Sequence, residues 1–208
     1  MALVDIYVLS VDGLRHDWVS NPTDILNRIN ELASNRGHRV IPVTDLVAFR
    51  NLVNTPPQNA VVINSHGEAL PLPVEEQGDW LRFIRRIGEN VRDAGWIWAS
   101  VTGYPFFYYD PATDRIPQPY TMGLATFLSA APTEVATVSL VDENFQLTRD
   151  GTAALEKLRI HIQTPIRIER AFFWRNVVPL TFLTSGAHKW SLIVFRLFSS
   201  NEAFSCHG

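Results

Sequence analysis

The sequence predicts an α/β fold, a three-layer αβα sandwich around a mostly parallel central sheet. Two observations carry that expectation. Short runs rich in β-branched residues alternate with segments of helical periodicity, in the order β-α-β-α-β-α-β through residue 102. Several of the runs are also apolar almost without interruption, as strands are when helices cover both faces of a sheet. Right-handed crossovers then follow from the handedness of the chain.

Ile6-Tyr7-Val8-Leu9, flanked by Val4 and Val11, reads as the first strand. Asn21-Pro22 supplies a helix cap and a proline at the first helical position, with Asp24 in the first turn. Ile25, Ile29, Leu32 and Ala33 share one face of that helix, and Gly37 ends it. Arg39 to Val43 is a second strand. A brief helix carries Leu46, Phe49, Leu52 and Val53 and stops before Pro56-Pro57. Ala60 to Asn64 is the third strand. From Asp79 to Ala94, Trp80, Phe83, Ile84, Ile87 and Val91 form an apolar stripe, with arginines largely off it. Trp96 to Val101 reads as a fourth strand, expected at the centre of the sheet and buried on both sides.

The second half is less regular. Residues 103 to 120 hold four prolines and read as a long loop. Met122–Ala131 is a short helix, Val135–Val141 a strand, Thr148–Leu158 a helix, and Pro165–Phe173 and Trp190–Phe198 strands. The expected organisation is a single domain over 1–198, with 199–208 a tail or a cut end, as in one domain of a longer protein.

Composition bounds the function classes. The 208 residues are 46% hydrophobic and 19% charged, which excludes collagen, coiled coil and wholesale disorder. A net charge of -3 argues against a nucleic-acid surface driven by bulk charge. The single cysteine, Cys206, allows no internal disulfide and no multi-cysteine metal site. The N-terminal residues lack a basic signal region, and no stretch approaches the roughly 20 apolar residues of a membrane helix. A cytoplasmic protein without a cofactor is the resulting expectation.

In open α/β sheets, ligands bind beyond the carboxyl ends of the strands. That rule selects Val11-Asp12-Gly13, Ser65-His66-Gly67-Glu68, and Ser100-Val101-Thr102-Gly103-Tyr104. His66 is a candidate general acid or base, Glu68 its candidate orienter, and Gly67 permits a sharp turn. Asp12, Ser65, Ser100, Thr102, Gly103 and Tyr104 are candidate ligand-binding residues. Asp12-Gly13 reads equally as a plain turn. His16-Asp17 has no further ligands at metal-binding spacing. Phe106-Phe107-Tyr108-Tyr109, in the 103–109 loop, is either a core anchor or a surface for a ligand or protein partner.

The element order, the turn after the third strand and Ala99-Ser100-Val101-Thr102-Gly103 after the fourth resemble the class I glutamine amidotransferase-like family. Its catalytic members carry Gly-x-Cys-x-Gly. Aligned on Gly103, the cysteine position is Val101 and the first glycine is Ala99, so the resemblance implies the family's flavodoxin-like fold without the glutaminase. His66-Gly67 also resembles the histidine position of caspase-like cysteine peptidases, again without the thiol. The leading expectation is a domain that binds a small molecule or a protein partner at the strand-end cleft. The alternative is a hydrolase or lyase using His66 as acid/base, and a third reading is an interaction domain docking through the aromatic loop, as an oligomer or as part of a larger chain.

Overall fold

The computed structural model describes residues 3–14, 21–101, 105–110, 122–139, 144–147, 149, 152–153, 156, 166–167, 170–174, 183–185, 188–190, 195–199 and 202–206. Its contacts divide the chain into two compact units, Met1–Thr133 and Glu134–Gly208.

The first unit is an α/β unit built on four parallel strands, β1 (Asp5–Leu9), β2 (Arg39–Val43), β3 (Val61–Asn64) and β5 (Ile97–Ser100), in the order β2-β1-β3-β5. Between them run α1 (Pro22–Ser34), α2 (Leu46–Asn54) and α3 (Trp80–Asp93). The short strand β4 (Ala69–Pro71) pairs in parallel with β6 (Tyr108–Asp110) outside that sheet. The chain steps from β1 outward to β2, then back across β1 to β3. Right-handed crossovers therefore place α1 on one face of the sheet and α2 with α3 on the other.

Local chemistry sets the helix ends. The Asn21 side chain accepts the Thr23 N–H at 2.9 Å and Pro22 opens α1. Asp45 accepts the Ala48 N–H at 2.7 Å for α2, and Asp79 accepts the Arg82 N–H at 3.1 Å for α3. On the α2/α3 face the core is aromatic and aliphatic. Phe49 meets Phe83 edge-on with ring centres 5.3 Å apart, and Trp98 lies 6.4 Å from Phe49. Val62, Ile84 and Ile87 are fully buried around them. The Asn90 amide donates to the Val53 carbonyl at 2.8 Å, and the Trp96 indole donates to the Pro57 carbonyl at 2.8 Å.

A short 3-10 turn, Val74–Asp79, is held against α2 and α3 by one carboxylate. Glu76 accepts from Arg50 at 3.0 Å and from Arg86, whose other amino group donates to Asn54 at 2.6 Å. Helix α4 (Met122–Leu128) packs on α3 through glycine. A Cβ on Gly88 would collide with the Phe127 carbonyl, and one on Gly123 with the Phe106 carbonyl.

The fourth parallel strand departs from expectation. Among the described residues, β5 is the edge of its sheet, and Ile97 is 62% exposed. Trp98 faces Phe49, so the two-residue period turns Ile97 to the opposite face. There, α1 packs on β2 at the far end of the sheet. Continuous apolar sequence reports coverage only where the sheet continues on both sides. Trp96, by contrast, is buried as expected.

The second unit holds antiparallel strand pairs, together with helical backbone at the described residues 149, 152–153 and 156. β7 (Val135–Ser139) pairs with β10 (Arg170–Trp174), and β8 (Asn144–Leu147) pairs with β9 (Ile166–Arg167) and β11 (Leu183–Ser185). β11 also pairs with β12 (His188–Trp190), and β13 (Phe195–Ser199) pairs with β14 (Glu202–Cys206), each antiparallel. The strand expected over Pro165–Phe173 is thus two strands, and that over Trp190–Phe198 falls on the end of β12 and most of β13. Most of the helix expected over Thr148–Leu158 lies outside the described residues.

Two stability outcomes follow from this packing. Phe83→Ala should cost about 3–5 kcal/mol in urea unfolding, as a buried aromatic deletion does, whereas Ile97→Ala should stay within about 0.5 kcal/mol. A loss above about 2 kcal/mol for Ile97→Ala, the range of buried aliphatic deletions, would place β5 inside a larger sheet. Burial pushes the Glu76 carboxyl up, but hydrogen bonds from Arg86 and Arg50 outweigh it and hold the group below its ordinary value. A carboxylate depressed in the folded state stabilises above its unfolded value and loses that contribution as pH falls through the folded one. The stability difference between the native chain and Glu76→Gln should therefore be largest near neutrality and shrink below about pH 4.5. A difference that does not change with pH would mean that the carboxylate charge contributes nothing.

Candidate functional site

The carboxyl ends of the four parallel strands are joined by one series of hydrogen bonds. Ser10 N–H donates to the Val43 carbonyl at 3.0 Å, linking β1 to β2. The Ser65 hydroxyl donates to the Leu9 carbonyl, and the Val11 N–H donates to His66 Nε2 at 3.0 Å, so the chain leaving β1 is tied twice to the turn after β3. Val101 N–H donates to the Asn64 carbonyl at 3.1 Å, linking β5 to β3.

The turn after β3 is organised by Asn64. Its side-chain oxygen accepts the His66 N–H at 3.1 Å, and its amide donates to the Ala69 carbonyl at 2.9 Å and toward the Gly67 carbonyl at 3.4 Å. Gly67 takes a φ of 70°, the left-handed conformation that permits this tight reversal into β4. The whole turn is buried. Ser65 and His66 are fully inaccessible and Glu68 is 4% exposed.

An imidazole nitrogen that accepts a backbone N–H must carry a lone pair, so Nε2 is unprotonated. In this bond the ring acts as an acceptor that satisfies the Val11 amide. Sequence reading brought His66 and Glu68 to the right strand end, and the structure places both in the interior.

The remaining sequence candidates separate. Ser100 is half-buried and its hydroxyl accepts the Trp98 indole N–H at 3.2 Å. Val101, at the thiol position of the amidotransferase-like alignment, is 39% exposed. Thr102, Gly103 and Tyr104 lie outside the described residues. In the aromatic loop, Phe106 is a core residue at 2% exposure, with its ring 5.3 Å from Trp98 and 4.7 Å from Phe127. It holds a φ of 59°, a conformation that costs a non-glycine residue about 1–3 kcal/mol and persists through packing. The Phe106 ring therefore anchors the loop inward and is not part of a docking surface. Phe107 and Tyr109 are half-buried, Tyr109 lying 5.3 Å from Trp80. The Tyr108 side chain lies outside the described residues.

Asp12 comes through differently. It is exposed and stands on the rim of a cavity of about 300 Å³ between the loop after β1 and the first turn of α1. Ser10, Asn21 and Thr23 bring polar groups to the same space, and Val11, Leu14 and Pro22 bring apolar ones. Sequence reading missed Ser10, Asn21 and Thr23. Asn21 was read as a helix cap, which it is, and only the return of α1 to the end of β1 makes the cap residue a wall. Among the described residues no group of three or more metal-ligating side chains occurs, and no helix is long and apolar enough to cross a membrane.

Comparison with family models, with curated proteins and with solved structures returned no match. The site is therefore read from its own geometry. Removing the His66 ring deletes the acceptor of a buried N–H, a loss of about 1–3 kcal/mol before the void is counted. His66→Ala should lower stability by at least that amount, while Asp12→Ala should change it by less than about 0.5 kcal/mol. Equal effects in chemical denaturation would contradict the structural role given to His66.

Proposed function

We propose that this chain is a flavodoxin-like, amidotransferase-like domain without glutaminase chemistry that binds a small molecule at its strand-end cleft. The carrying observation is the 300 Å³ cavity at the carboxyl end of β1, closed on one side by the α1 N-terminus. A cavity of that volume lies at the small end of ligand sites. The strand order β2-β1-β3-β5 supports the same place, since the chain reverses direction across the sheet between β1 and β3. Val101 at the position of the family's cysteine supports the lack of glutaminase chemistry. A cytoplasmic setting belongs to this reading, on the strength of the lone cysteine. The alternative, acid–base catalysis by His66, draws no support from a ring that is inaccessible and accepts a backbone N–H.

A thermal-shift screen of small polar compounds tests the proposal. Thr23 is exposed on the cavity rim, so Thr23→Phe fills the space without touching the core. The expected result is a compound that raises the melting temperature of the native chain and leaves Thr23→Phe unmoved. A ligand at one hundred times its Kd adds about 2.7 kcal/mol, which such a scan resolves. A compound that stabilises both proteins equally overturns the location. Turnover of an ester or amide substrate that disappears in a folded His66→Asn variant would establish the alternative.

A further inference from the structure

The two outer strands of the parallel sheet differ in how they meet a further strand. At β2, the Arg39 N–H donates to the Val4 carbonyl at 3.3 Å and the Val43 carbonyl accepts the Ser10 N–H at 3.0 Å, so the odd-numbered residues turn their backbone groups to β1. Val40 and Pro42 turn theirs outward, and Pro42 has no N–H to offer. A proline so placed blunts an edge against pairing. β5 carries no such device. The Ile97 N–H donates to the Ala60 carbonyl at 2.9 Å and the Val101 N–H to the Asn64 carbonyl at 3.1 Å, which commits the odd-numbered residues to β3. Trp98 and Ser100 direct their N–H and C=O outward, where no strand among the described residues pairs with them. From Trp96 to Val101 the sequence holds neither a charge nor a proline.

The side chains beside this open edge are apolar. Ile97 is 62% exposed and Val101 is 39% exposed. By the two-residue period they lie on the same face, with the small Ala99 between them. An occupant has to match both features, the outward backbone groups of Trp98 and Ser100 and the apolar pair that flanks Ala99. A second copy of β5 does so when it is turned around a two-fold axis at Ala99. In that antiparallel register Trp98 stands opposite Ser100 of the second copy, and these are the residues whose N–H and C=O are free to be exchanged. Ile97 stands opposite Val101 of the second copy in a non-hydrogen-bonded pair, where the Cα atoms approach to about 4.5 Å. Both apolar side chains then cover each other twice, and only Ala99 meets itself on the axis.

We infer that β5 is the contact between two copies of this chain, joined edge to edge into one continuous sheet. The match is isologous, as a closed dimer requires. A contact made by one short strand is smaller than the roughly 1,200–2,000 Å² of a standard interface, so the pair is reversible and depends on concentration.

The test is sedimentation of the full chain from about 10 µM to 1 mM, since a Kd of 1 mM leaves half of the chains paired at the upper limit. The mass should rise toward that of a dimer, and the Trp98 and Ser100 amides should exchange with deuterium more slowly as it does. Ile97→Lys and Val101→Glu each place a charge at an exposed position, so each should abolish pairing while leaving the unfolding midpoint of the dilute chain unchanged. The two substitutions in one chain should restore pairing, because each new charge faces its opposite on the second copy. The small cost given above for Ile97→Ala belongs to the dilute chain and should grow with protein concentration. A chain that stays monomeric at 1 mM overturns the inference, as do Trp98 and Ser100 amides protected equally at every concentration, which would mean that the chain covers its own edge. A dimer that survives both single substitutions overturns the location, and failure of the double substitution to restore pairing overturns the register.

Discussion

The hydrogen bond from the Val11 N–H to His66 Nε2 joins two chain segments fifty-five residues apart, at the point where the sheet changes direction. Neither segment can hold its course alone. Val11, the second residue after β1, has a backbone N–H that leaves the strand ladder, and in the interior it needs an acceptor. The turn after β3 has a buried ring that needs a donor. Each satisfies the other, and the Ser65 hydroxyl on the Leu9 carbonyl doubles the link. With the exit of β1 held there, the chain runs on through Gly13 at φ 75° and returns at Asn21 to begin α1, leaving the cavity between. The candidate site thus depends on a histidine that is not itself exposed within it.

Buried and accessible polar groups are divided between the two sides of this arrangement. Asn64, Ser65 and His66 in the turn after β3 are buried and bonded to backbone groups, which holds the loops in place. Polar residues of the loop after β1 are on the rim or facing the cavity, so they remain available to a ligand. A similar division runs through the aromatic residues. Phe106 accepts an unfavourable backbone conformation in exchange for contacts with Trp98 and Phe127, and Gly123 beneath its carbonyl gives the space. Phe107 and Tyr109 lie nearer solvent.

Binding rests on a cavity at the sheet's switch point, where open α/β sheets hold ligands for a geometric reason: the loops diverge there to opposite faces and leave a crevice. That proposal lies on the β1 side of the switch, whereas motif reading points to the β3 side, where a histidine is the most reactive residue type in view.

Local signals determined much of the first 133 residues. Asn21-Pro22, Asp45 and Asp79 mark helix starts because a side-chain oxygen before a free first turn satisfies amides within two or three residues. The stripe of Phe83, Ile84 and Ile87 marks a core face because its period is that of the helix itself. The α/β class and the parallel order follow from such signals together with the handedness of the crossovers. Tertiary structure decided the rest, wherever the answer depended on a distant neighbour. Whether Ile97 is covered depends on the next strand, and among the described residues there is none beyond β5. That His66 accepts a backbone N–H depends on Val11, fifty-five residues away. Whether Ser10, Asn21 and Thr23 form a wall depends on α1 returning to the strand it left. Periodicity and capping act over a turn or two of chain, while coverage, partner choice and cavity walls are set by segments that meet only after folding.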